Sequence, residues 1–265
     1  FARHDRLRGD DLRRAIMASS CWVLPFESAD GPGNMALDEA LLDAVADDPS
    51  AAVLRTYDWT APTLSLGYFQ RWADALADPR WRDAPIVRRP TGGGAIWHDR
   101  ELTYAVVVPG DHPLARPNTA LYHAVHEAIA DLLRSQGLAA DRLGAEATPD
   151  GARRPFLCFS DRDPADIVAG GVKVVGSAQR RRAGAVLQHG AVLLARSSAT
   201  PELPGAGDLG PVSPDAMSWA NRLRERIPAA LGLRAQSRDV PDAVRRRART
   251  LEQTVYRNPE WTRRR

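Results

Sequence analysis

The chain has 265 residues, of which 44% are hydrophobic, and is long enough for one large domain or for one domain with a small appendage. No apolar run approaches the roughly 18–20 residues that span a bilayer, and the net charge of +3 includes no basic stretch interleaved with aromatics, so neither a membrane protein nor a nucleic-acid-binding protein is expected. Two cysteines, Cys21 and Cys158, without metal-ligand spacing, exclude a disulfide framework and a metal site and favour a reducing cytoplasm.

The start of the chain predicts an extension outside the fold. Residues 1–20 are charged and aperiodic and lack the apolar core of a secretory signal, with Met17 as a candidate natural start. A first helix is then predicted over 35–46, capped by Asn34, with Asp38 and Glu39 in the early turns where the helix dipole favours acidic residues.

Alternation and helical periodicity predict the remaining elements. Strands are expected at 52–57, 63–67, 85–87, 103–108 and 186–194, and in a hairpin of 166–168 with 172–175 that turns at Gly170–Gly171. Helices are expected at 72–77, 119–135, 216–231 and 241–255, and loops at 138–155 and 197–215. Strands mixed with a few helices, several of them hairpin-like, indicate an α+β fold rather than a doubly wound parallel sheet.

The segment Arg88 to His98, RRPTGGGAIWH, contains the only run of three glycines and lies between two predicted strands. Three residues without Cβ atoms let a ligand approach the main chain, and successive N–H groups can converge on one oxygen. Arg88 and Arg89 add fixed positive charge. The segment therefore suits a carboxylate, a phosphate or the carbonyl of an acyl chain, and the alternative is a glycine-rich hairpin turn.

The basic residues are unevenly divided, because one of the 36 is lysine, Lys173, and the rest are arginine. Such a bias suggests that the retained lysine stands where arginine cannot serve, since arginine cannot lose its proton in a protein. Chance retention is the alternative. The arginine clusters at 245–247 and 263–265 indicate solvated faces, with an acidic protein partner as the alternative.

Five blocks of sequence together resemble the lipoate-protein ligase/octanoyltransferase superfamily, in the family's order. Within it the chain is most similar to the LipM-type octanoyltransferases. The blocks are NMALDEALL (34–42), PTLSLGYFQ (62–70), RRPTGGGAIWHDRELTYAVVVP (88–109), CFSDRDPADIVAGGVKVVGSAQRRR (158–182) and LQHGAVLL (187–194). The resemblance implies an α+β catalytic domain shared with biotin ligases, with mixed, mostly antiparallel sheets flanked by helices, over residues 21–200, and a C-terminal helical extension over 201–265 packing on it.

The resemblance also implies roles for individual residues. Cys158 matches the family's acyl-accepting cysteine and Lys173 its essential lysine. The expected substrate-binding residues are Arg88, Thr91, Gly92, Gly93, Gly94, His98, Gly176, Ser177, Ala178, Gln188, His189 and Gly190, with Gln179 in the same block. Asp163-Pro164-Ala165 departs from relatives, which tend to carry an aromatic there, and this puts the shape of the loop near Cys158 in question.

The activity implied is transfer of an octanoyl group from acyl carrier protein, through a cysteine thioester, to a lysine of a lipoyl domain or of the glycine-cleavage H protein. No cofactor, metal, nucleic acid or membrane is implied, and a monomer is expected.

The residues support this chemistry without the family. A cysteine nucleophile divides acyl transfer from a thioester to an amine into two steps, and the first exchanges one thioester for another without ATP. Lys173 could favour the Cys158 thiolate and later accept the proton of the attacking amine, which arginine could not do. The glycine segment could stabilise the oxyanion. The alternatives are a buried structural thiol at Cys158 and hydrogen-bonded structural histidines at positions 98 and 189.

Three other functions stay open at this stage. An ATP-dependent lipoate-protein ligase needs no cysteine and would use Lys173 to neutralise phosphate and carboxylate charge. An amidotransferase would move octanoyl or lipoyl groups between lipoyl proteins through the same cysteine. A non-catalytic acyl-binding module would be expected to have lost Cys158 and Lys173, and both are present.

Overall fold

A computed structural model describes residues 20–144, 154–182 and 184–265. The expected N-terminal extension, apart from Ser20, and residues 145–153 of the expected loop at 138–155 lie outside these ranges. The α+β class is confirmed: two mixed sheets, in which antiparallel pairs predominate, are flanked by helices. None of the helices in the described ranges is long and apolar enough to cross a membrane.

The larger sheet has nine strands. In chain order these are β1 (Ser20–Val23), β2 (Glu27–Ala29), β3 (Ala52–Trp59), β7 (Glu101–Pro109), β8 (Asp141–Arg142), β9 (Ile167–Ala169), β10 (Val172–Arg182), β11 (Ala185–Leu193) and β12 (Arg234–Ser237), while β4 (Thr63–Leu66), β5 (Ile86–Arg88) and β6 (Ile96–His98) form a smaller sheet. The strand order is β12-β1-β3-β7-β11-β10-β9-β8, with β2 beside β3, and β5-β4-β6 in the smaller sheet.

Helices cover both faces of the larger sheet. They are α1 (Gly31–Asp47), α2 (Trp72–Leu76), α3 (Ala120–Ser135), α4 (Ala206–Leu209), α5 (Ala216–Ala230), α6 (Asp242–Leu251) and α7 (Pro259–Arg263), with a π-helical turn at Glu252–Tyr256. Side chains of β7 alternate between two cores: Val106 packs with α3 and α5, and Val107 with α1 and α6. The period-2 pattern of a strand produces this division, because successive side chains point to opposite faces.

The first helix begins earlier than predicted. Asp30 caps it by accepting a hydrogen bond from the Gly33 amide, and a proline in the first turn needs no donor there. Asn34 is therefore inside the helix, where its buried amide donates to main-chain carbonyls. Asp38 is fully buried beside Arg55 rather than placed at the helix end, so an ion pair and not the helix dipole accounts for its charge.

Several other boundaries also differ from the predictions. The hairpin turn at Gly170–Gly171 is present with positive φ at both glycines, but its second strand continues to Arg182. Strands β1, β2, β6, β8 and β12 were not predicted, because runs of two to four residues carry too little alternation to stand out. β8 lies within the segment 138–155 that was expected to be a loop. β12 lies at the edge of the larger sheet, parallel to β1.

Candidate active site

Cys158 and Lys173 meet at one point between the two sheets. The Lys173 Nζ lies 3.6 Å from Cys158 Sγ and donates to the Cys158 carbonyl at 3.0 Å and to the Asp161 carbonyl at 3.4 Å. Lys173 is buried in β10, while Cys158 is half-buried in the turn that follows Leu157. An ammonium this close to the sulfur favours the thiolate, which is the nucleophilic form of cysteine.

Asp166 is the counter-ion of Lys173. Its Oδ2 lies 2.7 Å from the Lys173 Nζ, and both side chains are almost fully buried. Burial raises the pKa of Asp166 to about 6, and the nearby ammonium opposes that rise. Burial alone would lower the pKa of Lys173, but the negative charges of Cys158 and Asp166 outweigh it and raise that pKa. The ammonium of Lys173 therefore lies between the Asp166 carboxylate and the Cys158 sulfur.

Two close main-chain approaches hold this pair together. A Cβ on Gly94 would lie 2.9 Å from the Cys158 nitrogen, and a Cβ on Gly176 would lie 2.6 Å from the Lys173 Cε. Gly94 faces main-chain atoms that cannot move aside, so its position requires glycine. At Gly176 the neighbouring atom belongs to the flexible end of the Lys173 side chain, which a Cβ would displace from its present position. The Cys158 amide also donates to the Ala95 carbonyl at 2.8 Å. The glycine segment therefore forms the wall against which the cysteine turn is packed.

Arg89 fixes the shape of the glycine segment. One of its terminal nitrogens donates to the carbonyls of Gly92 and Gly94, and the other to the carbonyl and hydroxyl of Ser65. Arg89 is buried and lines the cavity beside Cys158. Burial lowers the pKa of Arg89 to about 10, and the guanidinium is still charged at neutral pH. It therefore supplies a fixed positive charge to the site.

A narrow cavity lies beside Cys158, between the two sheets. Met35, Tyr57, Trp59 and Ile96 give it a largely apolar lining. Its remaining walls come from the glycine segment and from β10 and β11. An apolar cavity that opens beside a nucleophile suits an alkyl chain attached at that nucleophile.

A buried polar network supports the wall formed by His189. The His189 Nδ1–H donates to Asp38 Oδ2 at 2.9 Å, and the Thr91 hydroxyl lies 2.7 Å from Nε2. Asp38 also accepts from Arg55 at 2.7 Å and from the Tyr57 hydroxyl at 2.8 Å. Burial would raise the pKa of Asp38, but the hydrogen bond from His189 and the charge of Arg55 hold it below the usual value. The network positions His189 and leaves it no free nitrogen.

A second network fixes His98. Its Nδ1–H donates to Glu101 Oε1 at 2.6 Å, and its Nε2 lies 2.6 Å from the Ser65 hydroxyl, which in turn accepts from Arg89. Burial lowers the pKa of His98, so the ring is neutral and accepts the Ser65 proton. The ring stacks on Trp59 with centroids 3.8 Å apart. His98 therefore lines the cavity as a hydrogen-bonded structural residue, which is the alternative that the sequence analysis gave for this histidine.

Most of the predicted site residues converge on the cavity. Gly92, Gly93, His98, Cys158, Ser177, Ala178, His189 and Gly190 line it. Thr91 lies behind His189, Gly94 behind Cys158 and Gly176 behind Lys173. Gln188 accepts a hydrogen bond from Gln179 at 3.0 Å and is not among the residues that line the cavity.

Arg88 is placed differently from the prediction. Its guanidinium is buried and donates to main-chain carbonyls, at 2.8 Å to Thr262, 2.9 Å to Gly67 and 2.7 Å to Gln70. It joins α7 to the smaller sheet and does not line the cavity. The positive charge beside the cavity is supplied by Arg89 and not by Arg88. This follows from the end of β5 at Arg88, after which the chain turns and Arg89 faces the cavity.

Asp166 was not predicted as a site residue. Within the sequence it stands before a hairpin, a position at which aspartate commonly serves the turn, and nothing local identifies its partner. Asp166 could have been found by asking for a counter-ion, because a lysine in a buried strand needs one. Asp166 is the acidic residue nearest to Lys173 along the chain.

Replacement of Asp166 by asparagine is expected to remove a pH dependence of stability. Because the folded pKa of about 6 exceeds the ordinary 3.8, folding favours the protonated carboxyl. The contribution of Asp166 to the free energy of unfolding is therefore fully present below pH 4 and is lost as the pH rises through 6. The free energy of unfolding of wild type relative to Asp166→Asn should fall by about 2 kcal/mol between pH 4.5 and 7.5.

Chemical denaturation at several pH values measures this difference. The same substitution at exposed Asp74 is the matched control for loss of one carboxylate. A difference between wild type and Asp166→Asn that is constant across this pH range would contradict the burial of an ionisable Asp166.

Known proteins resemble this chain in both sequence and structure. The family model of the lipoyl protein ligase A/B catalytic domain matches residues 30–200. Octanoyltransferase LipM of Geobacillus kaustophilus is 39% identical over 168 residues, 61% of this chain and 60% of that protein. Octanoyltransferase LipM of Kyrpidia tusciae is 41% identical over 172 residues, 61% of each chain. The chain thus spans about 60% of the length of these curated relatives.

A solved structure of lipoate-protein ligase A bound with ATP superimposes with a TM-score of 0.75 at 26% sequence identity. The superposition covers 92% of this chain and 98% of that one. The similarity therefore extends beyond the range that the family model matches.

Proposed function

The chain belongs to the lipoyl protein ligase A/B catalytic-domain family, and from this premise we propose that it is a protein N-octanoyltransferase of lipoate biosynthesis. The octanoyl group passes from acyl carrier protein to Cys158 and then to a lysine of a lipoyl domain or of the glycine-cleavage H protein. The observation that carries the proposal is the 3.6 Å approach of Lys173 Nζ to Cys158 Sγ at the mouth of an apolar cavity. Both cysteines are free thiols, as a reducing cytoplasm requires.

In the first step the Cys158 thiolate attacks the carbonyl carbon of the donor thioester. The new carbon–sulfur bond forms as the bond to the donor sulfur breaks, and the departing thiolate needs a proton. The ammonium of Lys173 is the nearest acid, so it donates that proton and becomes neutral. Atoms and charge balance without ATP, because one thioester replaces another.

Acylation prepares Lys173 for the second step. The thioester carries no charge, so one of the two anions that raise the pKa of Lys173 has been removed. Burial then weighs against the ammonium and favours the neutral amine. Neutral Lys173 can accept the proton of the incoming acceptor amine as that amine attacks the thioester carbonyl. Cys158 departs as the thiolate, and the pair returns to its starting charge state.

The glycine segment supplies donors for the oxyanion of both steps. The main-chain amides of Gly92 and Gly93 form no hydrogen bond with any part of the chain that the structure describes. Both residues line the cavity beside Cys158, and Arg89 holds their loop in place. Preorganised donors of this kind are typically worth about 3 kcal/mol of barrier each.

The fold is also compatible with an ATP-dependent ligase, since the ATP-bound lipoate-protein ligase A has the same architecture. Such a ligase activates the acid as an adenylate and has no use for a cysteine at the cavity mouth. The position of Cys158 against Lys173 therefore supports the transferase over the ligase. The same chemistry would serve an amidotransferase, which differs in its donor protein, and a non-catalytic module would need neither residue.

Incubation with octanoyl-acyl carrier protein and a lipoyl domain, without nucleotide, tests the proposal. We expect mass spectrometry to detect N-octanoyl-lysine on the lipoyl domain. Replacing the donor by an octanoylated lipoyl protein tests the amidotransferase in parallel. Transfer that occurs only after ATP and free octanoate are added would reject the transferase in favour of the ligase.

A further inference from the structure

A second concavity continues from the cavity along β10. Ser177 and Ala178 line the cavity, and the next three residues, Gln179 to Arg181, line an open groove. Gly92 lines both. We call this concavity the arginine groove and define it by Tyr68, Phe69, Tyr122, Gln179, Arg180 and Arg181. The two concavities are therefore neighbours that meet at Gly92, a residue whose missing side chain leaves the least obstruction between them.

Within the described part of the chain, Arg180 and Arg181 of the arginine groove have no carboxylate partner. The next arginine along the strand, Arg182, forms ion pairs with Glu39 and Asp43. By contrast, no carboxylate of the described ranges lies within 4 Å of the guanidinium of Arg180 or Arg181. Among the described residues, the guanidinium of Arg180 makes one hydrogen bond, at 3.3 Å to the Pro90 carbonyl. Most of its donors are thus available to an anion.

Arginine side chains lie against the ring of Tyr68. The guanidinium of Arg180 lies 5.5 Å from the Tyr68 ring centroid, and that of Arg264 lies 4.5 Å from it. Arg264 also donates to the Tyr68 hydroxyl at 2.8 Å. Beside them Phe69 is 68% exposed, which is unusual for a phenylalanine. The arginine groove thus combines cations with an exposed apolar surface.

The charge selects between the two substrates of the proposed reaction. The acceptor brings a lysine ammonium, which Arg180 and Arg181 would repel. The donor brings a thioester on a long prosthetic arm that is attached to its carrier through a phosphate ester. Arginine is well suited to phosphate, because its planar fork donates two parallel hydrogen bonds. We propose, on the premise of the octanoyltransferase function, that the arginine groove binds the donor's prosthetic arm, with Arg180 on the phosphate.

The spacing is compatible with this occupant. Ser177 and Arg180 are three residues apart in β10, which corresponds to about 10 Å along the strand. The arm between sulfur and phosphate is longer than this, so the thioester can reach Cys158 while the phosphate lies at Arg180. Phe69 and Tyr122 provide apolar contact for the methyl and methylene groups between them.

Three octanoyl thioesters distinguish the parts of the donor: octanoyl-pantetheine, octanoyl-4′-phosphopantetheine and octanoyl-acyl carrier protein. The readout is the second-order rate constant for acylation of Cys158, followed by intact mass. For Arg180→Gln we expect about a tenfold loss with the two phosphorylated donors, the usual effect of deleting a charge-assisted hydrogen bond. The rate with octanoyl-pantetheine should be unchanged, which also shows that the variant is folded.

Arg222→Gln, which removes an exposed arginine of α5, is the matched control and should match wild type with all three donors. Equal loss with all three donors, or loss with the carrier protein alone, overturns the assignment of Arg180 to phosphate. Unchanged rates overturn it as well, as does an effect confined to transfer onto the acceptor. If wild type is acylated by none of the donors, the octanoyltransferase function itself fails, and the inference fails with it.

Discussion

Replacement of Cys158 by alanine is expected to abolish the covalent octanoyl adduct and to reduce transfer to the lipoyl domain by roughly 10³-fold or more, as removal of a catalytic nucleophile does. Without sulfur, the acceptor amine would have to attack the donor thioester directly. The amine would then lose both the thioester intermediate held beside Lys173 and the change of charge that makes Lys173 a base. Intact-mass spectrometry after exposure to octanoyl-acyl carrier protein measures the adduct, and hydroxylamine should remove it from wild type.

Cys21 is the matched control for this experiment. It is fully buried in the core, and burial raises the pKa of its thiol to about 12, so it is inert at neutral pH. Cys21→Ala should therefore keep the adduct and the turnover, apart from a small loss of stability. An adduct that persists in Cys158→Ala and disappears in Cys21→Ala would identify Cys21 as the nucleophile and refute the proposed mechanism.

The long helices and strands could be predicted from their periodic sequence patterns. The short strands that form only by pairing with a distant segment could not. The helix expected at 119–135 is observed as Ala120–Ser135, because its apolar positions recur at helical spacing over four turns. β12 escaped prediction, since its four residues are all exposed and acquire strand conformation by pairing with β1, at the other end of the described chain. No local pattern in the sequence contains that partner.

The site divides in the same way. Lys173 could be identified because it is the one lysine of the chain, and Cys158 because its sequence block resembles that of a known family. The structure places the two side chains next to each other. The choice between Arg88 and Arg89 could not be made, because it depends on the register in which β5 pairs with β4 and on where the strand ends. The role of Asp166 likewise depends on a side-chain contact across the hairpin, with a register shift between Lys173 and Val175.

Lys173→Arg is expected to separate the two half-reactions. Arginine keeps the positive charge that favours the Cys158 thiolate, and the departing donor thiolate can take its proton from solvent instead of from Lys173, so acylation of Cys158 should stay within about tenfold of wild type. Arginine cannot become neutral, so it cannot take the proton of the acceptor amine, and transfer from preformed octanoyl-enzyme should slow by about 10²- to 10⁴-fold. Rapid mixing of octanoyl-enzyme with a lipoyl domain, followed by intact mass, measures the second half-reaction alone.

The alternative explanation of such a loss is steric, because the Lys173 stem lies against the Gly176 main chain and a guanidinium is larger than an ammonium. Lys173→Met, which keeps the stem and removes the charge, should slow both half-reactions. High pH distinguishes the causes: an acceptor lysine with a pKa of about 10.4 loses its proton to solvent as the pH rises. Because this raises the free-amine fraction for every variant, the ratio of the Lys173→Arg rate to the wild-type rate separates the causes. Hydroxide that replaces the missing base should raise this ratio with pH, whereas a steric defect would leave the ratio low at every pH and would remove Lys173 from the proton path.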